Sequence, residues 1–493
     1  ITLSMKKVKA KMKKTNKEID DMFPTDTFCA LPWMHLSTRP DGSMRVCCTA
    51  NASGVAVNAK STDKPVSKSG IVRNDDGQPA NLNNTSLMSA WNNEYMRGVR
   101  KAMLDGKKPS SCTKCYKEED AGHRSKRIWE TRKWIKDLGG VDQIIEDTQA
   151  DGSVPARIRY IDLRLGSKCQ LACVMCSPDD SSNWIKDHKK IFPTLQNKEL
   201  RKSMSWTKET GEQAALGTSY NWHKNNPDFW DELYDTLPNL RQLYFAGGEP
   251  LIIDEHYTLL EKCIDEGLAG DIELRYNSNG IEWREDLFDL WKQFRNVIFH
   301  FSVDDIDIRN HFIRYPSNWE VIQGSMHKMD AYPHGNLTLT TAWTCTLLNI
   351  YYLPEFIKWK IGQNFKNMNK WPHGAGLFSC HIAYWPPQLN VKALPDWFKA
   401  EVRQKFEEEL YPWLEENWQS CTGVKEAGIT YEEFIASEYG IKRMEGLLSF
   451  MEADDWSERL PETAEWCYTV AKTRFLNFDE VFPDLEWLKW YNK

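Results

Sequence analysis

The stretch Ile158-Arg159-Tyr160-Ile161-Asp162-Leu163-Arg164-Leu165, followed after Gly166 and Ser167 by Lys168-Cys169-Gln170-Leu171-Ala172-Cys173-Val174-Met175-Cys176, decides how this chain is read. The first part alternates apolar and polar residues, the period of a strand, and it feeds a loop. The second part is CxxxCxxC. Three thiolates can hold three irons of a cubane 4Fe-4S cluster and leave the fourth open to a substrate or cofactor, whereas an electron carrier normally has four cysteine ligands. A disulfide reading fails on the odd count. A zinc site wants a fourth ligand nearby, and the nearest histidine, His188, is not placed there by spacing. Spacing alone leaves zinc and chance clustering open.

Further on, Leu243-Tyr244-Phe245-Ala246 reads as a short strand running into Gly247-Gly248-Glu249-Pro250. Two glycines let the backbone approach a ligand with no Cβ in the way, and Glu249 sets a carboxylate at the strand's end, suited to the amino group of an amino-acid-like cofactor. The plain alternative is a glycine turn that ends a strand. CxxxCxxC with GGEP one strand later resembles the radical S-adenosylmethionine (radical SAM) superfamily. The resemblance implies that Cys169, Cys173 and Cys176 ligate a 4Fe-4S cluster and that the methionine end of SAM chelates the open iron. Gly247, Gly248, Glu249 and Pro250 would hold its amino group. It further implies one-electron cleavage of SAM to a 5′-deoxyadenosyl radical that abstracts hydrogen from substrate. Met175 stands where the family usually carries an aromatic, against the adenine.

At 493 residues the chain is long enough for two or three domains. A net charge of -7 argues against a nucleic-acid-coating protein, and no run of eighteen apolar residues is present to cross a membrane. The lysine-rich start, Ile1 to Lys17, lacks an apolar segment after it and reads as a solvated tail. Thirteen cysteines without a signal peptide point to metal ligands in a reducing cytoplasm.

A second cysteine constellation precedes the first. Phe28-Cys29-Ala30-Leu31-Pro32-Trp33 is followed by Arg39-Pro40-Asp41-Gly42-Ser43-Met44-Arg45-Val46-Cys47-Cys48, where Pro-Asp-Gly reads as a hairpin turn that brings Cys29 and Cys47 together. An amphipathic stretch from Leu87 to Leu104 leads to Cys112-Thr113-Lys114-Cys115. Four thiolates, Cys29, Cys47, Cys112 and Cys115, make one complete site for zinc or a cubane cluster. This pattern resembles the twitch (SPASM-like) subdomain of radical SAM enzymes, which implies an auxiliary 4Fe-4S cluster. Here it precedes the SAM core instead of following it. Cys48 is spare and reads as a packed thiol.

Asn51 to Asn84 reads as a surface loop. From Asp151 six strand candidates follow, at about 158–165, 242–246, 271–277, 297–303, 337–344 and 377–384. Helical patterns such as Tyr257 to Glu266, Trp283 to Phe294 and Val321 to Met329 lie between them. Such alternation argues a parallel sheet. With the resemblance, the fold class is α/β: a partial (β/α)6 TIM-type barrel, an N-terminal twitch hairpin-plus-helix subdomain and a helical C-terminal region. The expected boundaries are 1–21 (basic tail), 22–150 (twitch), 151–394 (barrel) and 395–493 (helical).

Functional residues should then lie at the strands' C-terminal ends. Asn279, Ser302 and Asp304 stand where the family contacts the ribose of SAM, and Asn349 where another SAM-contacting asparagine recurs; helix caps and Asx turns are the plain alternatives. Cys345, Cys380 and His381 are candidates for a hydrogen donor or base. Cys263, Cys421 and Cys467 fall on predicted helices and read as buried apolar groups. The long insertion from Ser177 to Leu240, with Trp184, Trp206, Tyr220, Trp222, His223, Phe229 and Trp230, reads as a lid or as a decorated helix pair.

The expected function is a cytoplasmic radical SAM enzyme with SAM and two 4Fe-4S clusters, the auxiliary one relaying electrons. The resemblance implies a low-potential donor such as a flavodoxin or ferredoxin, with neither nucleic acid nor membrane as partner. A peptide or protein residue is favoured as substrate by the size of the aromatic insertion; a sugar or aminocyclitol alcohol is the alternative. A non-catalytic zinc-stabilised scaffold is the rival of another class, and no cobalamin-like domain favours methylation.

Overall fold

The computed structural model describes residues 15–50, 70–77, 79–83, 85–120, 125–204, 220–368, 379–421, 423–437 and 440–492. The lysines from Lys6 to Lys14, most of the polar loop, Trp206 and the first two residues of the sixth expected strand lie outside them. The chain forms two compact units: residues 1–37, 44–80 and 85–158, and residues 38–43, 81–84 and 159–493.

Strand β1 (His35–Thr38) neighbours β2 (Met44–Arg45). The intervening turn is the one that Pro-Asp-Gly predicts, with Gly42 at φ 84° and its N–H donating to the Arg39 carbonyl at 2.9 Å. The amphipathic stretch is two helices, Leu87–Trp91 and Glu94–Leu104, because Asn93 caps the second by accepting from the Met96 N–H at 3.0 Å. The helix Lys126–Leu138 starts on a Ser125 cap and stops at Gly139, whose left-handed φ of 80° suits a glycine C-cap. Arg100 is buried and satisfied by backbone: Nε donates to the Pro32 carbonyl at 2.8 Å and Nη2 to that of Trp91 at 2.7 Å.

The second unit is built on parallel strands β3 (Tyr160–Leu163), β4 (Gln242–Phe245), β5 (Glu273–Ser278), β6 (Asn296–Ser302), β7 (Leu337–Cys345) and β8 (Ser379–Ile382), paired in chain order. The register sorts their residues into two faces. One carries Ile161, Leu163, Leu243, Phe245, Leu274, Tyr276, Val297, Phe299 and Phe301, and the crossover helices cover it. Phe245 meets His256 of the helix Asp254–Asp265 at 4.7 Å between ring centroids, and Trp291 of Leu287–Trp291 lies 5.4 Å from Tyr276 and 5.7 Å from Phe299. The opposite face is polar, with Asp162, Tyr244, Arg275, Asn277, His300, Ser302, Thr340 and Thr344. A strand exposed to water on neither face would be apolar on both, so this alternation marks the second face as the one a polar ligand meets.

The C-terminal helices belong to this same unit. Helix Leu460–Thr473 packs on Trp184–Ile191 through Trp184 and Trp466, stacked 5.7 Å apart and both buried, each contributing roughly 1.5–3 kcal/mol of burial. Of the insertion's aromatics that the sequence singles out, Tyr220, Trp222 and Phe229 are buried as well and Trp230 is half-buried. No helix among the described residues is long and apolar enough to cross a membrane.

Candidate functional site

All thirteen cysteines lie among the described residues, and no two of them are joined in a disulfide. In the first unit Cys29, Cys47, Cys112 and Cys115 line one small cavity of about 20 Å³, partly open to solvent, with Leu31 and Arg127. Each is placed by its own element: Cys29 precedes the turn Leu31–Trp33, Cys47 follows β2, and Cys112 and Cys115 sit on consecutive turns into the helix Thr113–Asp120. Burial pushes all four thiols up, Cys112 to about 12, helped by neighbouring sulfurs at Cys29, Cys47 and Cys112 and by Glu118 and Glu119 at Cys115. Such thiols ionise only when a cation or cluster takes the charge. Cys48 does not line this cavity.

Among the described residues no group of three or more His, Cys, Asp or Glu side chains is arranged to hold a metal ion. Zinc requires four sulfurs about 2.3 Å from one point, whereas the thiolates of a cubane bind different irons and stand farther apart.

In the second unit the loop after β3 is held from all sides. The Ala172 N–H donates to the Tyr315 carbonyl at 2.6 Å and that of Val174 to Ile313 at 2.8 Å, at the end of the helix Asp307–Ile313. The Trp184 indole donates to the Cys173 carbonyl at 2.6 Å. Arg474 is buried and donates to the carbonyls of Ala172 (2.6 Å) and Phe312 (3.2 Å), pairs with Asp187 at 3.0 Å and lies 5.0 Å over Trp184. The Cys176 thiol donates to Cys173, which lowers Cys173 and raises Cys176, while burial pushes Cys169 up to about 12. Met175 between them is half-buried.

The GGEP turn abuts this loop. Gly247 and Gly248 have φ of 73° and 57°, and a Cβ at Gly248 would stand 2.6 Å from the Lys168 carbonyl oxygen. The missing side chains thus let the turn lie against Arg164 and Lys168 of the cysteine segment. The Glu249 N–H donates to Lys168 O at 2.8 Å. The buried Glu249 carboxylate accepts from Ser278 Oγ (2.7 Å), Asn279 N (2.8 Å) and Leu251 N (3.1 Å), and burial still pushes it up to about 7. Pro250 is buried beside it. Asn279 Oδ1 accepts from Gln170 of the cysteine loop at 3.4 Å.

Asp304 is buried and meets the Thr344 N–H at 2.6 Å and Arg314 Nε at 2.6 Å. Asn349 is saturated: Oδ1 accepts from Thr346 N (2.8 Å) and Oγ1 (3.1 Å), and Nδ2 donates to the carbonyls of Asp304 and Thr344, both at 2.9 Å. Its side chain joins two strand ends to each other. Ser302 ends β6 on the polar face. The register puts Cys345 and Cys380 on the apolar face, hydrogen-bonded together, and His381 with His300 and Thr344 on the polar one. Cys263 and Cys467 are buried on helices, but Cys421 is half-buried just beyond the turn Trp418–Ser420. Arg314 and Arg474, which sequence reading passed over, carry no local motif; their chemistry shows only in their contacts.

A family model described as the SPASM iron–sulfur cluster-binding domain matches residues 29–116. The SPASM-like reading of the N-terminal cysteine pattern is borne out by this match. No curated protein matches the chain. Three crystal structures of Streptococcus suis SuiB are similar. The first, at 9% identity, aligns over 64% of this chain and 63% of that one, less than two thirds of SuiB's length, with a TM-score of 0.29. SuiB bound to S-adenosylmethionine aligns at 11% identity over 67% of each chain, and SuiB bound to precursor peptide SuiA at 13% over 73% of this chain and 74% of that one, both also at 0.29. A TM-score of 0.29 places no residue of one chain on another.

Proposed function

We propose that this chain is a radical SAM enzyme in which Cys169, Cys173 and Cys176 hold a 4Fe-4S cluster, and Cys29, Cys47, Cys112 and Cys115 hold an auxiliary one. The observation that carries this is a three-cysteine loop fixed on every side against a buried carboxylate, Glu249, at the C-terminal ends of parallel strands. When bound, such a cluster supplies an electron that cleaves SAM to a 5′-deoxyadenosyl radical. The residues of this chain do the rest. Glu249, oriented by Ser278 and Asn279, would take the ammonium group, and Cys169, Cys173 and Cys176 would hold the cluster. The parallel sheet curls as a partial barrel with the face of Arg275, His300, Ser302 and His381 inward, where a substrate is held. His300 is neutral there, because burial and the nearby Arg275 and His381 lower it to about 3.

The substrate in this reading is a peptide or protein residue, with a sugar or aminocyclitol alcohol as the second candidate; the auxiliary site relays an electron. The enzyme works in the cytoplasm with a flavodoxin- or ferredoxin-like donor. The test is anaerobic reconstitution with iron and sulfide, then SAM and dithionite, with 5′-deoxyadenosine measured by mass spectrometry. Release that disappears in Cys176→Ala supports the reading; no release from a brown, iron-loaded protein overturns it.

A further inference from the structure

We infer that the buried ion pair Arg314–Asp304 sets the reduction potential of the metal centre at Cys173, with Arg314 as a positioning and tuning residue. This rests on the proposed cluster at Cys169, Cys173 and Cys176.

Arg314 caps the helix Asp307–Ile313, and its Nη1 points at Cys173 Sγ from 3.8 Å. Its Nε lies 2.6 Å from Asp304 Oδ2. Both residues are buried, at 9% and 0% exposure, so solvent screens the charge only weakly. Asp304 is itself immobilised: Oδ1 accepts from Thr344 N, the carbonyl accepts from Asn349 Nδ2, and the N–H donates to Asn310 Oδ1 at 3.1 Å. The guanidinium is thus clamped from behind, and one N–H edge is left toward a single cysteine sulfur.

A cluster gains a negative charge on reduction. A cationic donor at a ligand sulfur stabilises the reduced form more than the oxidised one and raises the potential. Asp304, on the far side of the guanidinium, opposes that field and fixes its direction. Removing the cation should make the cluster harder to reduce, and neutralising the carboxylate should make it easier. Lysine at 314 keeps the charge and should stay near wild type.

The test uses the full chain reconstituted without SAM or substrate, iron counted per chain, and the potential followed by electron paramagnetic resonance during redox titration. The relevant signal is the one absent from the Cys169→Ala/Cys173→Ala/Cys176→Ala protein; the other signal is an internal reference. At the wild-type midpoint, Arg314→Gln is expected to lower the ratio of reduced to oxidised cluster about tenfold, which is 59 mV for one electron. Asp304→Asn is expected to move it the other way. Arg314→Gln/Asp304→Asn, which removes both buried charges together, keeps the measurement possible if a lone buried carboxylate prevents folding, and it is expected to shift in the same direction as Arg314→Gln but by less, because the cation is nearer the sulfur and the carboxylate opposes it. Unmoved potentials in iron-replete variants overturn the inference, as does an Arg314→Lys protein that cannot hold iron, since the residue would then be architectural. Wild type without iron at this loop refutes the proposed function itself.

Discussion

Replacing Gly248 by alanine isolates the contact that joins the GGEP turn to the cysteine loop. A Cβ there would stand 2.6 Å from Lys168 O, 3.1 Å from Gly166 O and 3.2 Å from Lys168 N, all backbone atoms that cannot swing away. Ordinary contact begins at 3.4 Å, so the Lys168 carbonyl must retreat by about 0.8 Å (3.4 less 2.6). That breaks the 2.8 Å bond from the Glu249 N–H, and an orphaned buried donor costs about 1–3 kcal/mol. The left-handed φ of 57° adds about 1–2 kcal/mol. Gly267 provides the control, with φ 72° and nothing within 4 Å of its Cβ. Gly267→Ala should therefore cost only the second amount, and Gly248→Ala about 2 kcal/mol more. The assay is urea unfolding by circular dichroism, with iron per chain after reconstitution as second readout. Variants within about 0.5 kcal/mol of each other, both iron-replete, would refute the reasoning.

Further outcomes follow from other contacts. Asn349→Ala removes four buried hydrogen bonds and should destabilise the fold by about 2–4 kcal/mol in the same assay. Because the Glu249 carboxyl sits near 7, it must lose a proton to pair with an ammonium group; calorimetry should show S-adenosylhomocysteine binding weakening by up to tenfold per unit as pH falls below about 7, and levelling above it. Cys47→Ala should lower bound iron by one cluster, about four irons, while Cys48→Ala leaves it unchanged, because only Cys47 lines the cavity.

Much of the strand layout was legible because each strand advertises itself locally. The expected segments at 242–246, 297–303 and 337–344 overlie β4, β6 and β7 within a residue or two. Spacing also sufficed to single out the cysteines, since CxxxCxxC and CxxC are local patterns. What sequence could not show is held by contacts between distant segments. Arg474 reaches Ala172 across 302 residues, and no window around either hints at the other. The same blindness affected Gly248, which lies against the Lys168 backbone, and Asn349, whose amide is spent on two strand ends. Alternation told Cys345 from His381 only once the register was known, because a slip of one residue exchanges the faces.

The most direct test of the two-centre account is iron per chain after anaerobic reconstitution, comparing wild type with Cys169→Ala/Cys173→Ala/Cys176→Ala. Two cubane clusters predict about eight irons falling to about four. About four falling to none, with zinc retained by both proteins, would contradict it and make the four-cysteine site of the first unit structural.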